Sequence, residues 1–383
     1  MFANPFSDAE LAGRVEAVRK EMSARELDLL LLSAPENIFY LSGLDHWGYF
    51  APHILIVPAD GEMVLITRAM ERVTIENQVR NARFQGHSDS ETAADCAVRI
   101  LRPAAGARRR IGVEVWSSGH TFGFGTALRD QLENVDWVDV TGVVDMLRHV
   151  KSPGEQALMR AAAKAADAGM LAGIAAIHDG AREADVAADC IAAMTRAGGT
   201  PPGFGPFIRP DHRIAEEHTS WGDGVYRNGG RVILELAGCV SRYNAPMGRL
   251  VHLGTIRDED AEMAEIAKRA FQGVLDRLKP GVRAREVYTG WQAVVDAAGM
   301  PGYRRHHCGY LVGIGFPPSW TGGNRVTGLR HDSDLEIREG MTFHVLSWFT
   351  ETGRGDFFVS NCVLLGPEGA EVLTSAPTGP TIV

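Results

Sequence analysis

Residues Gly230 to Gly254 read GRVILELAGCVSRYNAPMGRLVHLG, which has the form of a buried strand, a turn and a return strand. Val232, Ile233, Leu234, Leu236 and Ala237 form an apolar run that only Glu235 interrupts. A carboxylate in such a run is costly unless it is paired, hydrogen-bonded or used. Glu235 is therefore the first candidate for chemistry.

Outward from this hairpin, the chain of 383 residues exceeds one comfortable core, so two domains are expected. A composition of 45% hydrophobic and 23% charged residues is that of an ordinary soluble protein. The net charge of −9 is offset by no basic stripe, which argues against a nucleic-acid partner. Arg108 to Arg110, the densest basic run, reads as a solvated turn before a strand. No apolar segment approaches the length of a membrane span or a signal sequence, so a cytoplasmic protein with no membrane partner is expected. Five cysteines without a CxxC pair fit reduced, buried thiols, and zinc-ligand spacing is missing.

Ser7 and Glu10 propose a capping box for a first amphipathic helix. Leu29–Leu32, Ile54–Val57, Met63–Ile66 and Ile111–Val115 read as strands, the middle two joined at Asp60-Gly61, and helical patterns alternate with them. Residues 1–150 thus form a small α/β domain. Ser152-Pro153-Gly154-Glu155 is a strong helix start, and the second domain, 151–383, is placed from there. Its pattern is helix (155–177), helix (181–197), loop and the Glu235 hairpin, followed by helix (258–278), helix (284–298), loop and strands near 341–347 and 357–365.

The hairpin resembles that of the creatinase/aminopeptidase P family, which has an acidic residue on the first strand, a Tyr in the return and a closing Arg. Glu235, Tyr243 and Arg249 occupy those places. Asn37 to Asp45, NIFYLSGLD, is similar to the family's N-terminal signature. The resemblance implies an α/β chain whose small N-terminal domain precedes a pita-bread α+β catalytic domain, and a homodimer. Metal-dependent members hold two divalent ions with two Asp, a His and two Glu. Those positions fall here on Glu235, Pro246, Tyr310, Leu346 and near Ser360. One carboxylate does not hold a hard divalent pair, so no metal and no other cofactor are expected. Gly309, Gly313 and Gly315 lack phosphate-loop spacing and read as sites of close backbone packing.

Two fates remain for such a chain: a metal-free hydrolase, or a catalytically silent binding protein. His218, in Glu216-Glu217-His218-Thr219-Ser220-Trp221, lies in the loop where the family places a catalytic His, and imidazole is suited to shuttling a proton. The resemblance extends to the metal-free branch that includes ectoine hydrolase, through His218 to Trp221, Leu234 to Cys239, Arg242 to Pro246, Gly309 to Trp320 and Met341 to His344. Asn244 departs from it where a His is expected.

The expected activity is metal-independent hydrolysis of a non-peptide C–N bond in a small charged molecule, ectoine-hydrolase-like. A creatinase-like amidinohydrolase or metal-free lyase is the alternative, and a Xaa-Pro metallopeptidase is disfavoured. Catalysis is assigned to Glu235 and His218, with Glu235 either attacking directly or orienting water. Substrate binding is assigned to Tyr310, His344, Tyr243, Arg249, His307, Trp47 and Trp320. A purely structural Glu235 would instead be expected to pair with Arg242 or Arg249. His306 and His307, read as neighbours on an extended strand, are expected to place only one ring in the pocket.

Overall fold

The computed structural model describes residues 4–102, 108–322 and 326–383. These form two compact units that divide between Arg148 and His149. No described helix is long and apolar enough to cross a membrane.

The first unit is built on a sheet of order β4-β3-β2-β1-β5-β6, with β1 Leu29–Leu32, β2 Ile54–Pro58, β3 Met63–Arg68, β4 Ala82–His87, β5 Arg109–Val113 and β6 Val135–Asp139. β2 and β3 pair antiparallel around the Asp60-Gly61 turn. The NIFYLSGLD signature helps to hold this unit together. Buried Glu114 accepts the backbone N–H groups of Ser33 (2.6 Å) and Ala34 (2.8 Å) and the side-chain amide of Asn37, at the start of the Pro35–Ser42 helix. Arg148 donates to the Asn37 side-chain oxygen at 2.7 Å. At the first helix, Ser7 accepts the N–H of Glu10 while the Glu10 carboxylate pairs with Arg14 at 2.8 Å. The reciprocal capping box expected at Ser152 and Glu155 is present.

In the second unit β7 (Phe207–Pro210), β8 (Arg231–Val240), β9 (Tyr243–His252), β10 (Gly309–Leu311), β11 (Thr342–Phe349) and β12 (Phe357–Gly366) order as β10-β11-β12-β9-β8-β7. β13 (Gly369–Val372) pairs with β12, and β14 (Thr381–Ile382) with β9. The β8–β9 hairpin turns at Ser241 and Arg242, both at positive φ (47° and 66°), the handedness that matches strand twist. β7 lies in a stretch that reads as loop in the sequence, because Phe207-Ile208-Arg209-Pro210 is too short and too interrupted to show alternation.

Helices Pro153–Ala176 and Glu183–Arg196 cover one face of β8 and β9, burying Met170, Val186 and Cys190 with Leu234, Leu236 and Met247. Gly238 permits this approach, since a Cβ there would sit 2.1 Å from the Ala162 carbonyl oxygen. Strand residues alternate in direction, so Ile233 and Glu235 point to the other face. Side chains on that face line a cavity.

Candidate active site

One row of register partners crosses the sheet: Phe207 opposes Glu235, Glu235 opposes Gly248, Gly248 opposes Ser360 and Ser360 opposes Leu346. Residues level with one another across strands share a face. The pairing thus gathers three of the family's ligand positions, 235, 346 and 360, into one line. Tyr310 stands one strand further, opposite His344. Gly248 leaves room above Glu235's neighbour for the Phe358 ring, which a Cβ there would meet at 2.0 Å.

The cavity, about 370 Å³ in volume, is lined by Glu235, His218, Tyr310, His307 and Trp320 among the residues singled out in the sequence, together with an aromatic wall of Phe204, Phe207, Trp348 and Phe358. Both His306 and His307 line it, contrary to the expectation of one; the chain bends at His306 rather than running extended, which leaves the two rings 4.2 Å apart. Burial drives the His307 pKa down to about 3, so this ring is neutral.

Glu235 is 8% exposed, and burial raises its pKa to about 7, against the Arg209 guanidinium that lowers it. The cation beside it is Arg209, with Nη2 3.9 Å from Glu235 Oε2, and neither Arg242 nor Arg249 takes that place. Arg242 stacks on Phe316 at 4.5 Å. His218 is exposed and adopts a left-handed backbone, φ 58°, with its ring 5.9 Å from that of Phe207.

Behind the wall, His344 is fully buried and bridges two hydroxyls, with Nδ1 2.8 Å from Tyr310 Oη and Nε2 2.7 Å from Ser360 Oγ. Burial, with His307 and Arg249 nearby, holds its pKa well below the usual imidazole range. Trp320 Nε1 donates to Tyr310 Oη at 3.0 Å. Tyr310, His344 and Trp320 therefore form one network, of which the His344 ring is the inner support.

Two other expected site residues lie elsewhere. The Tyr243 hydroxyl donates to Glu155 at 2.7 Å, tying the hairpin to the helix start. Arg249 donates to the carbonyls of Gly248, Ser360, Ala376 and Pro377 and to Asn361, at 2.6–2.9 Å, so its donors are spent on the framework. Trp47 belongs to the first unit, where it is 59% exposed. Sequence reading misses Arg209, Glu217, Arg330 and Trp348 on the cavity wall. An arginine between Ile208 and Pro210 in an otherwise apolar run is the available signal, the same one that draws attention to Glu235.

These residues do not fit a divalent pair. Among the five family ligand positions the oxygen donors are one carboxylate, which already faces a guanidinium, a phenol and a hydroxyl engaged by an imidazole; Leu346 and Pro246 contribute none. Among the described residues no group of three or more His, Cys, Asp or Glu side chains is arranged to hold a metal ion.

A two-unit chain with this sheet and cavity has the pita-bread architecture, and comparison with known proteins places it further. The model of metallopeptidase family M24 matches residues 157–367 and that of the creatinase/prolidase N-terminal domain residues 14–150; the chain belongs to this family, the creatinase/aminopeptidase P group. It is 28% identical to the ectoine hydrolase of Halomonas elongata over 97% of both chains. It is 23% identical to the Xaa-Pro dipeptidase of Pyrococcus furiosus, over 94% of this chain and 97% of that one. The structure of a Xaa-Pro dipeptidase from Bacillus anthracis superposes with a TM-score of 0.85 at 20% identity, covering 97% of this chain and all of the other, which establishes the fold.

Proposed function

We propose that this family member hydrolyses a non-peptide C–N bond in a small charged molecule without a metal ion, in the manner its similarity to an ectoine hydrolase suggests. The observation that carries this reading is Glu235: a buried carboxylate on the wall of an aromatic cavity, with a pKa raised to about 7, and the one carboxylate among the five positions where metal-dependent relatives carry their ligands. A base with a pKa near neutrality combines a useful ionised fraction with real proton affinity. Glu235 takes a proton from water or from a nucleophile it orients, and His218, at the cavity edge, returns one to the departing nitrogen. The phenol of Tyr310, fixed by Trp320 and His344, supplies a preorganised hydrogen-bonding partner for the charge that shifts during attack. The aromatic walls lower the effective dielectric beside Glu235, which strengthens the interactions made there.

The test is proton NMR of chelator-treated protein incubated separately with ectoine, creatine and a Xaa-Pro dipeptide, beside elemental analysis of the untreated sample. Opening of the ectoine ring without metal supports the reading in full. Metal-dependent dipeptide cleavage overturns it in favour of the peptidase relatives. No turnover of any of the three, with the protein folded and metal-free, removes ectoine and creatine as substrates and shifts weight to a binding role.

A further inference from the structure

Arg209 is a buried arginine on the edge strand β7, its side chain 4% exposed. Its guanidinium reaches in two directions. Nη1 donates to Glu217 Oε2 at 2.8 Å and to the Glu216 carbonyl at 3.3 Å, while Nη2 faces Glu235 Oε2 at 3.9 Å. The second oxygen of Glu217 lies 3.8 Å from Arg305 Nη2, and the Arg305 guanidinium sits 4.0 Å over the Trp348 ring. Glu217 is thus held between two arginines, one of them anchored in the strand that pairs with Glu235's strand.

The residue after Glu217 is His218. Its left-handed φ of 58° is a conformation that is strained for a non-glycine residue and persists only where the surroundings over-determine it. The surroundings do so here. Arg209 grips both residues before it, and the Thr219 hydroxyl closes on the Glu216 carbonyl at 3.0 Å.

We infer that Arg209 is a positioning residue of this site: it ties the loop that carries His218 to the strand that carries Glu235, and so sets the spacing between imidazole and carboxylate. The inference rests on the reading of Glu235 and His218 as the reacting pair, but the tether itself is a property of the loop and is measurable without turnover. Arginine suits this role because its planar fork engages two carboxylates and a carbonyl at once, which a lysine ammonium does not. Misplacing one catalytic group by about an ångström is enough to lose about a hundredfold in rate.

The experiment compares wild type with Arg209→Ala, Arg209→Lys and Glu217→Gln, with Arg209→Gln held ready should the alanine variant fail to fold. Two readouts need no substrate: hydrogen exchange of the backbone amides of residues 215–220, and the imidazole carbon–proton NMR signal of His218, assigned with His218→Gln. Arg209→Ala and Glu217→Gln are expected to speed exchange in this loop about tenfold or more while core amides keep their rates. They also move the His218 signal. Arg209→Lys gives a partial effect, and added guanidinium ion restores the Arg209→Ala signal. Wild-type exchange and an unmoved His218 signal in Arg209→Ala overturn the inference.

On a substrate found as above, kcat is expected to fall about a hundredfold with KM nearly constant. A raised KM at constant kcat overturns it as well, since Arg209 would then be holding substrate. If no substrate is found but the loop readouts move, the tether stands and the functional reading falls.

Discussion

The Tyr310 hydroxyl stands 2.8 Å from Nδ1 of His344, on residues that oppose one another in the β10–β11 ladder. On the other side of the same ring Nε2 meets Ser360 Oγ at 2.7 Å. A neutral imidazole has one N–H and one lone pair, so it donates to one hydroxyl and accepts from the other. Deleting it leaves two hydroxyls and a cavity in the sheet.

His344→Ala should therefore destabilise the protein by about 3–5 kcal/mol, through the lost ring and the unpaired hydroxyls together. Tyr310→Phe, which keeps the ring and removes only the hydroxyl, should cost about 1–3 kcal/mol by orphaning Trp320 Nε1 and His344 Nδ1. Because they share one network, the double variant should cost clearly less than both singles combined. Urea midpoints of the three variants check this, and strict additivity would show that the two side chains do not act as a unit.

His344 also bears on acid stability. Its folded pKa lies well below the ordinary 6.5, as does that of His307 at about 3, so the unfolded chain binds more protons as pH drops below about 6.5. Stability contributed by these neutral rings is present above that value and is lost as pH falls. Relative to His307→Gln, wild type should lose urea midpoint as pH falls from 6.5 to 4, because only wild type carries the depressed ring. An equal loss in both would mean that His307 is solvated and titrates normally.

Glu235 works in the opposite sense. Its pKa rises from the ordinary 4.5 to about 7 on folding, so the native state holds the proton more tightly. Stability from this group is full below pH 4.5 and is lost as pH climbs towards 7, by about 3 kcal/mol at most. Glu235→Gln removes the titration, and Glu114, which also titrates near 7, is common to both proteins. The variant should thus gain stability relative to wild type between pH 5 and pH 8 while losing all turnover. Undiminished turnover in Glu235→Gln would exclude the carboxylate from the reaction.

The sequence carries most of the framework because its signals are local. Ser152 and Glu155 cap a helix whatever lies around them, and Leu29–Leu32 or the Glu235 hairpin declare themselves by runs of apolar residues. The register row through Phe207, Glu235, Gly248, Ser360 and Leu346 is non-local, and nothing in the sequence of β7 alone marks Phe207 as Glu235's partner. Charge partners are hidden for the same reason. Arg209 lies 26 residues before Glu235 on a four-residue strand, whereas Arg242 and Arg249 lie within the hairpin and so invite the pairing. Tyr243 and Arg249 read as substrate groups from their place in a motif, and a motif does not say which face of the strand a side chain takes.

Those two residues give the last test. Tyr243 spends its hydroxyl on Glu155, and Arg249 spends its guanidinium on backbone carbonyls and Asn361, away from the cavity lining. Tyr243→Phe should cost about 1–2 kcal/mol of stability, because the Glu155 carboxylate loses a charge-assisted bond, and should leave KM unchanged. Arg249→Met should cost more, about 3 kcal/mol or above, since several buried carbonyls lose their donor at once. Its burial already lowers the pKa to about 10, the sign of a cation kept in place by the surrounding framework at some expense. Thermal melts alongside steady-state kinetics decide the matter: a variant with an intact melt and a KM raised tenfold would return that residue to the substrate site.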